Sequence, residues 1–281
     1  MNQSMQEELV QPLLKWAGGK RQLLPSLLKV MPKSFDFYVE PFLGGGALFF
    51  QLQPKNAVVC DINSELINFY NVVKDSPKEL IEKLLSYTDS EEFFYSIRNL
   101  DRDPESFSKL SNLDKAARTY YLNRVCFNGL YRVTKKGFFN TPYGKSFHPY
   151  AVNSQRIWQV SKMLNDGNIS IINGSFEIVE PYLKENSFIY LDPPYDPVSA
   201  SASFTNYSNG GFNKDMQIKL KEFCDRLTDK GHKFLLSNSA TPFIVDLYKD
   251  YKKTIVKANR RVNSVASKRG VVDEILVRNY K

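Results

Sequence analysis

The sequence predicts an α/β fold on a parallel sheet, interrupted by an inserted helical and β-hairpin segment. Three observations carry this reading. Between Phe35 and Asp61 a strand, a glycine turn, a helix, a second strand and an acid follow one another, the order of a βαβ unit. After residue 150 short apolar runs alternate again with amphipathic stretches. Residues 67–149 have a different character, rich in charge and aromatics, with a hairpin pattern near their end. The division expected is therefore a discontinuous α/β domain, 1–66 with 150–281, and an inserted domain, 67–149.

The elements follow in order. "RQLLPSLLKVM" (21–31) spaces its leucines as a helix, with Pro25 disturbing the first turn. "FDFYVEPFLGGGALFF" reads as a strand through Val39, a glycine turn at 44–46 and a helix from Ala47. "NAVVCDIN" (56–63) is a short buried strand ending in Asp61, and "SELINFYNVVKD" is helical. Residues 77–128 are mostly helical, with caps and breaks near Asp89, Pro104 and Ser111. Alternation on both sides of "TKKG" gives a two-stranded ribbon turning at Lys135–Gly137. "QRIWQVSKMLNDG" is a helix closed by Gly167, and "ISIINGSF" and "SFIYLDPPY" are strands. "DMQIKLKEFCDRLTDKG" is a helix closed by Gly231, followed by the strand "HKFLLSNS". The last 30 residues read as a hairpin with a long basic loop.

Composition narrows the function classes. No apolar run approaches the roughly 18 residues of a membrane span, and "MNQSMQEELVQP" has no apolar core of the signal-peptide kind. No membrane partner and a cytoplasmic location are the expectation. Cys60, Cys126 and Cys224 stand far apart, without pairing or metal-ligand spacing; no metal is expected, and each reads as a small buried apolar residue. The net charge of +8 raises a polyanion as partner. From Lys115 to Lys145 there are seven Lys or Arg, seven Phe or Tyr and no acid. Cations interleaved with aromatics suit phosphate contact and base stacking. A second basic stretch, Lys249–Arg269, holds eight Lys or Arg against Asp250 alone.

Two motifs carry chemistry. In "EPFLGGGAL", consecutive glycines between strand and helix let the backbone approach a ligand closely. An acid ending the next strand normally reaches a ribose. Asp61 comes 15 residues after Gly46, short of the roughly 20 of a dehydrogenase fingerprint, and no third glycine completes G-x-G-x-x-G. A structural turn plus a surface aspartate remains open on this motif alone. In "IYLDPPYDP" (189–197), Asp192 falls at the carboxyl edge of the sheet, where open α/β folds bind ligands. The prolines fix φ and preset the carbonyl directions. A carboxylate, a fixed carbonyl and the Tyr195 ring together make a receptor for a planar amine, such as the exocyclic amino group of a base.

Four patches, "KWAGGKRQLLP" (15–25), "EPFLGGGALFF" (40–50), "FNGLYRV" through "FNTPYG" (127–144) and "DPPY" (192–195), resemble DNA adenine-N6 methyltransferases of the Dam type almost end to end. The order of glycine motif, insert and DPPY is that of the alpha group of amino-methyltransferases. The resemblance implies a Rossmann-like class I methyltransferase sheet and an inserted target-recognition domain. It implies S-adenosylmethionine as donor, S-adenosylhomocysteine as product and GATC in double-stranded DNA as target. Trp16, Lys20, Asp61 and Asp192 match cofactor positions. Phe42, Gly44, Gly45 and Gly46 would line the methionine side, and Phe176 the cofactor adenine. Asp192, Pro193, Pro194 and Tyr195 match the catalytic tetrad. Arg132 stands where the family reads a guanine, Leu130 and Pro142 where bases or thymine methyls are touched, Phe127 where an aromatic intrudes between base pairs, and Asn128 at a phosphate. Lys15 is placed for the first guanine, and Arg124 and Tyr143 complete the DNA-binding set. A cognate restriction endonuclease is a compatible genetic partner, and an orphan or phage role is equally so. The segment 196–213, polar and rich in Gly and Ser, is expected to act as a lid. Methylation of another amine, RNA adenine or cytosine N4, and a non-catalytic DNA-binding relative are the alternatives.

Overall fold

Apolar runs of four to seven residues build the centre of the molecule. The structure, a computed structural model, describes residues 10–16, 18, 20–144, 150–197, 212–259 and 271–281. Seven strands form one sheet: β1 (Phe37–Glu40), β2 (Asn56–Asp61), β3 (Asn168–Asn173), β4 (Ser187–Leu191), β5 (Lys233–Ser239), β6 (Lys252–Asn259) and β7 (Val271–Arg278). Their order is β3-β2-β1-β4-β5-β7-β6. The first five run parallel, and β7 lies antiparallel between β5 and β6. The Rossmann-like methyltransferase sheet implied by the sequence is thus present. β1 and β4 are buried throughout, as strands covered on both faces must be.

Period-two alternation sends the two sets of strand side chains to opposite layers. Tyr38, Ala57, Val59, Phe188, Tyr190, Leu235 and Leu276 join one core. Phe37, Val39, Val58, Cys60, Ile189, Leu191, Phe234 and Leu236 join the other. The first layer is covered by α2 (Ala47–Leu52), α3 (Ser64–Asp75), α4 (Pro77–Leu85), α7 (Asn112–Val125) and α8 (Ser154–Asn165). The second is covered by α9 (Lys214–Asp229) and α10 (Pro242–Leu247). A third core, around Phe94, Tyr121, Val125, Tyr131 and Phe139, lies in the inserted segment.

Several local expectations shift by a few residues for clear reasons. The first helix, α1, runs Leu24–Val30, with Pro25 in its opening turn and Lys20–Gln22 as a separate 3-10 turn. Proline is tolerated there because the first N–H groups have no helical partner. β4 stops at Leu191, where the prolines remove ladder donors. Gly231 closes α9 at φ +77°, the left-handed position glycine favours. Gly167 stands at the same place after α8, without a positive φ, and a Cβ there would meet the Lys55 carbonyl at 2.7 Å. α10 was not anticipated, although Thr241 caps it by accepting from the Ile244 N–H and Pro242 sits at its first position. The expected breaks in 77–128 separate α4, α5 (Glu91–Arg98), α6 (Pro104–Lys109) and α7, each of the last three capped by a side chain: Ser90, Asp103 and Ser111. The ribbon is short, with pairings Val133–Phe139 and Cys126–Tyr143, and it turns at Gly137, φ +85°.

Buried charges tie the ribbon to the sheet. Arg118 of α7 is fully buried and donates to Glu65 of α3 at 3.1 Å and to Asp101 at 2.6 Å. Asp101 also accepts the Phe139 N–H at 2.7 Å, and Arg102 donates to the Phe139 carbonyl at 2.6 Å. Both backbone groups of one ribbon residue are thus fixed to the helices beneath. Residues 198–211 of the expected lid, residues 260–270 of the second basic stretch, and Lys145 lie outside the described residues.

Candidate active site and exposed ribbon

The strand order reverses direction between β1 and β4, and the crevice beyond their carboxyl ends is where α/β sheets take ligands. β1 delivers Glu40, Phe42 and the glycine turn to that edge, β2 delivers Asp61, and β4 delivers Asp192. Asp61 accepts the Gly44 N–H on Oδ2 and the Asn63 N–H on Oδ1, both at 2.9 Å. These two bonds pin the glycine turn to the end of β2. Gly44 and Gly46 adopt φ +46° and +62°, and a Cβ on Gly44 or Gly45 would press on Trp16 at 3.1 or 3.2 Å. Phe42 and Phe176 stack with centroids 5.6 Å apart. Ile62, next to Asp61, is 68% exposed.

The DPPY segment is held from behind. Lys20 Nζ lies 3.0 Å from Asp192 Oδ1 and 4.3 Å above the Tyr195 ring. Ser237 Oγ donates to the same Oδ1 at 2.8 Å, so both contacts fall on one carboxylate oxygen. Gln217 donates to the Pro194 carbonyl at 3.0 Å. Among the described residues none donates to the Pro193 carbonyl. Asn238 Oδ1 receives the Asp196 N–H at 3.0 Å, Thr241 Oγ1 donates to Asp196 Oδ2 at 2.6 Å, and the Tyr195 phenol donates to Glu274 at 2.8 Å.

Burial dominates the electrostatics of this edge. Burial pushes the carboxyls of Asp192 and Asp61 up from the ordinary range, opposed by Lys20 and Ser237 at the first and by backbone N–H groups at the second. Glu40 is pushed up to about 8, chiefly by burial and then by Asp192 and Asp61, although the Tyr38 phenol donates to it at 2.7 Å.

The structure therefore brings Trp16, Lys20, Phe42, Gly44, Gly45, Gly46, Asp61, Phe176, Asp192, Pro193 and Tyr195 to one edge, with Pro194 facing solvent. The second set gathers on the ribbon. Phe127 is 55% exposed, and Asn128 stands at φ +56° in the turn that follows α7. The Phe127 N–H bonds to the Pro142 carbonyl at 2.9 Å, and Arg124, Arg132 and Pro142 are exposed, with Leu130 half-buried. Asn123 clamps Lys15 beside them, accepting its N–H at 2.8 Å and donating to its carbonyl at 2.7 Å. Tyr143 is half-buried: its phenol donates to Asp89 at 3.0 Å and its ring packs on Phe94. Sequence reasoning gave no role to Glu40, Ser237, Glu274 or Tyr131. Glu40 heads the quoted glycine motif and Ser237 ends a strand, so their places were readable; Glu274 is brought in by antiparallel pairing with β5, which no local pattern reveals.

These features place a glycine turn, an acid-ended strand and the DPPY segment at one edge of an α/β sheet, and comparison with known proteins gives the class its name. Residues 16–263 match the family of D12 class N6 adenine-specific DNA methyltransferases. The chain belongs to this family and is an adenine-specific DNA methyltransferase. It is similar to the type II methyltransferase M1.LlaDCHI of Lactococcus lactis subsp. cremoris, 43% identical over 96% of each chain. The type II methyltransferase M.MjaIII of Methanocaldococcus jannaschii is 40% identical, over 96% of this chain and 99% of that one. The DNA adenine methylase of Escherichia coli K12 is 33% identical, over 94% of this chain and 93% of that one. The family implies DNA as substrate and S-adenosylmethionine as the general methyl donor. Among the described residues no helix is long and apolar enough to cross a membrane.

Proposed function

We propose that this chain moves the methyl group of S-adenosylmethionine to N6 of an adenine flipped out of duplex DNA, within GATC. One observation carries the reading: three carboxyl groups, Glu40, Asp61 and Asp192, converge at the carboxyl edge of the sheet, and burial raises all three. Such a cluster is relieved by a cationic ligand. The donor fits it, having a sulfonium and an ammonium for the acids, ribose hydroxyls for the Asp61 carboxylate, and an adenine for the Phe42–Phe176 pair. Bound there, it supplies an electrophilic methyl group.

The remaining work is positioning and electrostatics. Lys20 and Ser237 both engage Oδ1 of Asp192, and Oδ2 together with the Pro193 carbonyl accepts the two N6 hydrogens. That pair of bonds favours a pyramidal nitrogen and frees its lone pair. Tyr195 stacks on the extruded base, its plane held by Glu274. Stacking returns roughly 1–3 kcal/mol against a flipping cost of a few kcal/mol. Arg132 reads a guanine edge, Phe127 fills the gap in the stack, and Lys15, Arg124, Asn128, Leu130 and Pro142 complete the contact surface. In this division 1–66 and 150–281 hold the donor, and 67–149 reads DNA. The enzyme acts in the cytoplasm, and pairing with a cognate restriction endonuclease and an orphan or phage role are both compatible with relatives named type II methyltransferase and DNA adenine methylase.

The test is adenine-methylation mapping of plasmid DNA after expression in a methylation-deficient host. N6-methyladenine confined to GATC is expected. Methylation confined to a different site removes the specificity, and methylated cytosine in place of adenine removes the reading.

A further inference from the structure

Tyr131 lies between Leu130 and Arg132 on the ribbon but faces the other way. The chain is extended at Leu130, φ −84° and ψ 109°, and neighbours along an extended chain point to opposite sides. Arg132 is exposed and Tyr131 is buried. The Tyr131 ring stacks on Trp16, with centroids 4.9 Å apart and planes 22° from parallel, and meets Phe139 edge-on at 5.6 Å. Its phenol approaches the Asn63 side chain, and the Asn63 N–H is held by Asp61. Trp16 in turn covers Gly44 and Gly45. One ribbon residue therefore packs on Trp16, which covers the glycine turn, and stands beside Asn63, which Asp61 holds, while Arg132 next to it is exposed.

We propose that Tyr131 is a positioning residue that couples the methyl-donor pocket to the DNA-reading ribbon. The inference rests on the donor-site and ribbon readings above. A donor that fixes Trp16 and Asn63 fixes the Tyr131 ring, and the backbone of Leu130 and Arg132 is ordered with it. DNA that binds next meets a ribbon whose freedom has already been removed, which gives positive cooperativity without any new contact. Linkage makes the effect reciprocal, so DNA tightens donor binding by the same factor. A residue that merely filled space would lower stability and leave the coupling untouched.

The experiment uses S-adenosylhomocysteine as the donor-site probe and a duplex containing GATC. Trp158, half exposed on α8, is replaced by Phe, which leaves Trp16 as the sole tryptophan of a chain that has two. Each ligand is titrated alone and with the other saturating. In the Tyr131 protein, each Kd falls on the order of fivefold when the other ligand is present, within the usual span of couplings, and DNA alone changes Trp16 emission. In Tyr131→Leu both ligands still bind singly, the coupling factor drops to about 1, and DNA leaves the emission unchanged. Tyr131→Phe keeps the stack and retains most of the coupling. Wild-type coupling in Tyr131→Leu overturns the proposal. So does a Trp16 emission that ignores DNA in the Tyr131 protein, a result that holds even if Tyr131→Leu fails to fold. Failure of the probe to bind the Tyr131 protein alone overturns the donor-site reading, and failure of the duplex overturns the ribbon reading, each taking this proposal with it.

Discussion

Replacing Arg118 by Met leaves an apolar side chain of similar length and removes the charge that ties α7 to α3 and to the ribbon. The guanidinium is fully buried and donates to Asp101 at 2.6 Å, to Glu65 at 3.1 Å, and to the carbonyls of Ile97 and Arg98 at 3.1 and 3.0 Å. Without it two carboxylates lose a partner inside the protein. Breaking one side of a buried ion pair costs about 3–5 kcal/mol. Two features draw the expectation to the lower end. Arg102 still pairs with Asp101 at 2.7 Å, and Glu65, whose carboxyl burial already pushes up, can take a proton. The expected loss is therefore about 3 kcal/mol near neutral pH, and it should shrink as pH falls, since burial favours the protonated form of Glu65. Guanidinium denaturation followed by two probes gives the value, since a chain of 281 residues need not unfold in one step. A loss below about 1 kcal/mol with an unchanged denaturant slope refutes the reasoning.

The remaining predictions concern acid–base balance, specificity and thiols. The Glu40 carboxyl titrates near 4.5 when unfolded and at about 8 when folded. Its contribution is fully present below the lower value and is lost as pH rises to the upper, at up to about 1.4 kcal/mol per pH unit. Glu40→Gln keeps an acceptor for Tyr38, so its melting temperature should vary less between pH 5 and 8; an unchanged slope contradicts the assignment. Arg132→Ala should reduce discrimination at one guanine by about 1–3 kcal/mol, read from methylation rates on substituted sites. Unaltered preference there counts against a reading role. Cys60 and Cys126 are buried, with thiols pushed up to about 12, so labelling of the native protein by an aromatic disulfide reagent should wait on unfolding. Rapid labelling at pH 8 counts against that burial.

The sequence revealed those parts of the site that local chemistry dictates. Glycines at 44–46 turn, an acid ends β2 and prolines follow the end of β4, so these three local features were legible from neighbouring residues alone. The charge and aromatic content of 115–145 likewise marked the ribbon. What stayed hidden depends on pairing between distant segments. Glu274 reaches Tyr195 across 79 positions and Lys20 reaches Asp192 across the whole crevice. Arg118 looks like one of seven surface cations in its stretch, yet it is fully buried because Glu65 and Asp101 stand on other helices. Tyr143 carried the aromatic signal of a base contact, but Asp89, 54 positions away, holds its phenol. α10 was missed although Thr241 and Pro242 open it, because its six residues give too short a period to stand out.

The account stands or falls on the Asp192 carboxylate receiving the amine of the flipped adenine. Single-turnover methyl transfer by Asp192→Ala, with duplex affinity measured alongside, tests this most directly. Transfer should be abolished while the duplex is bound almost as tightly as by the unaltered chain. Transfer at the unaltered rate would contradict the account.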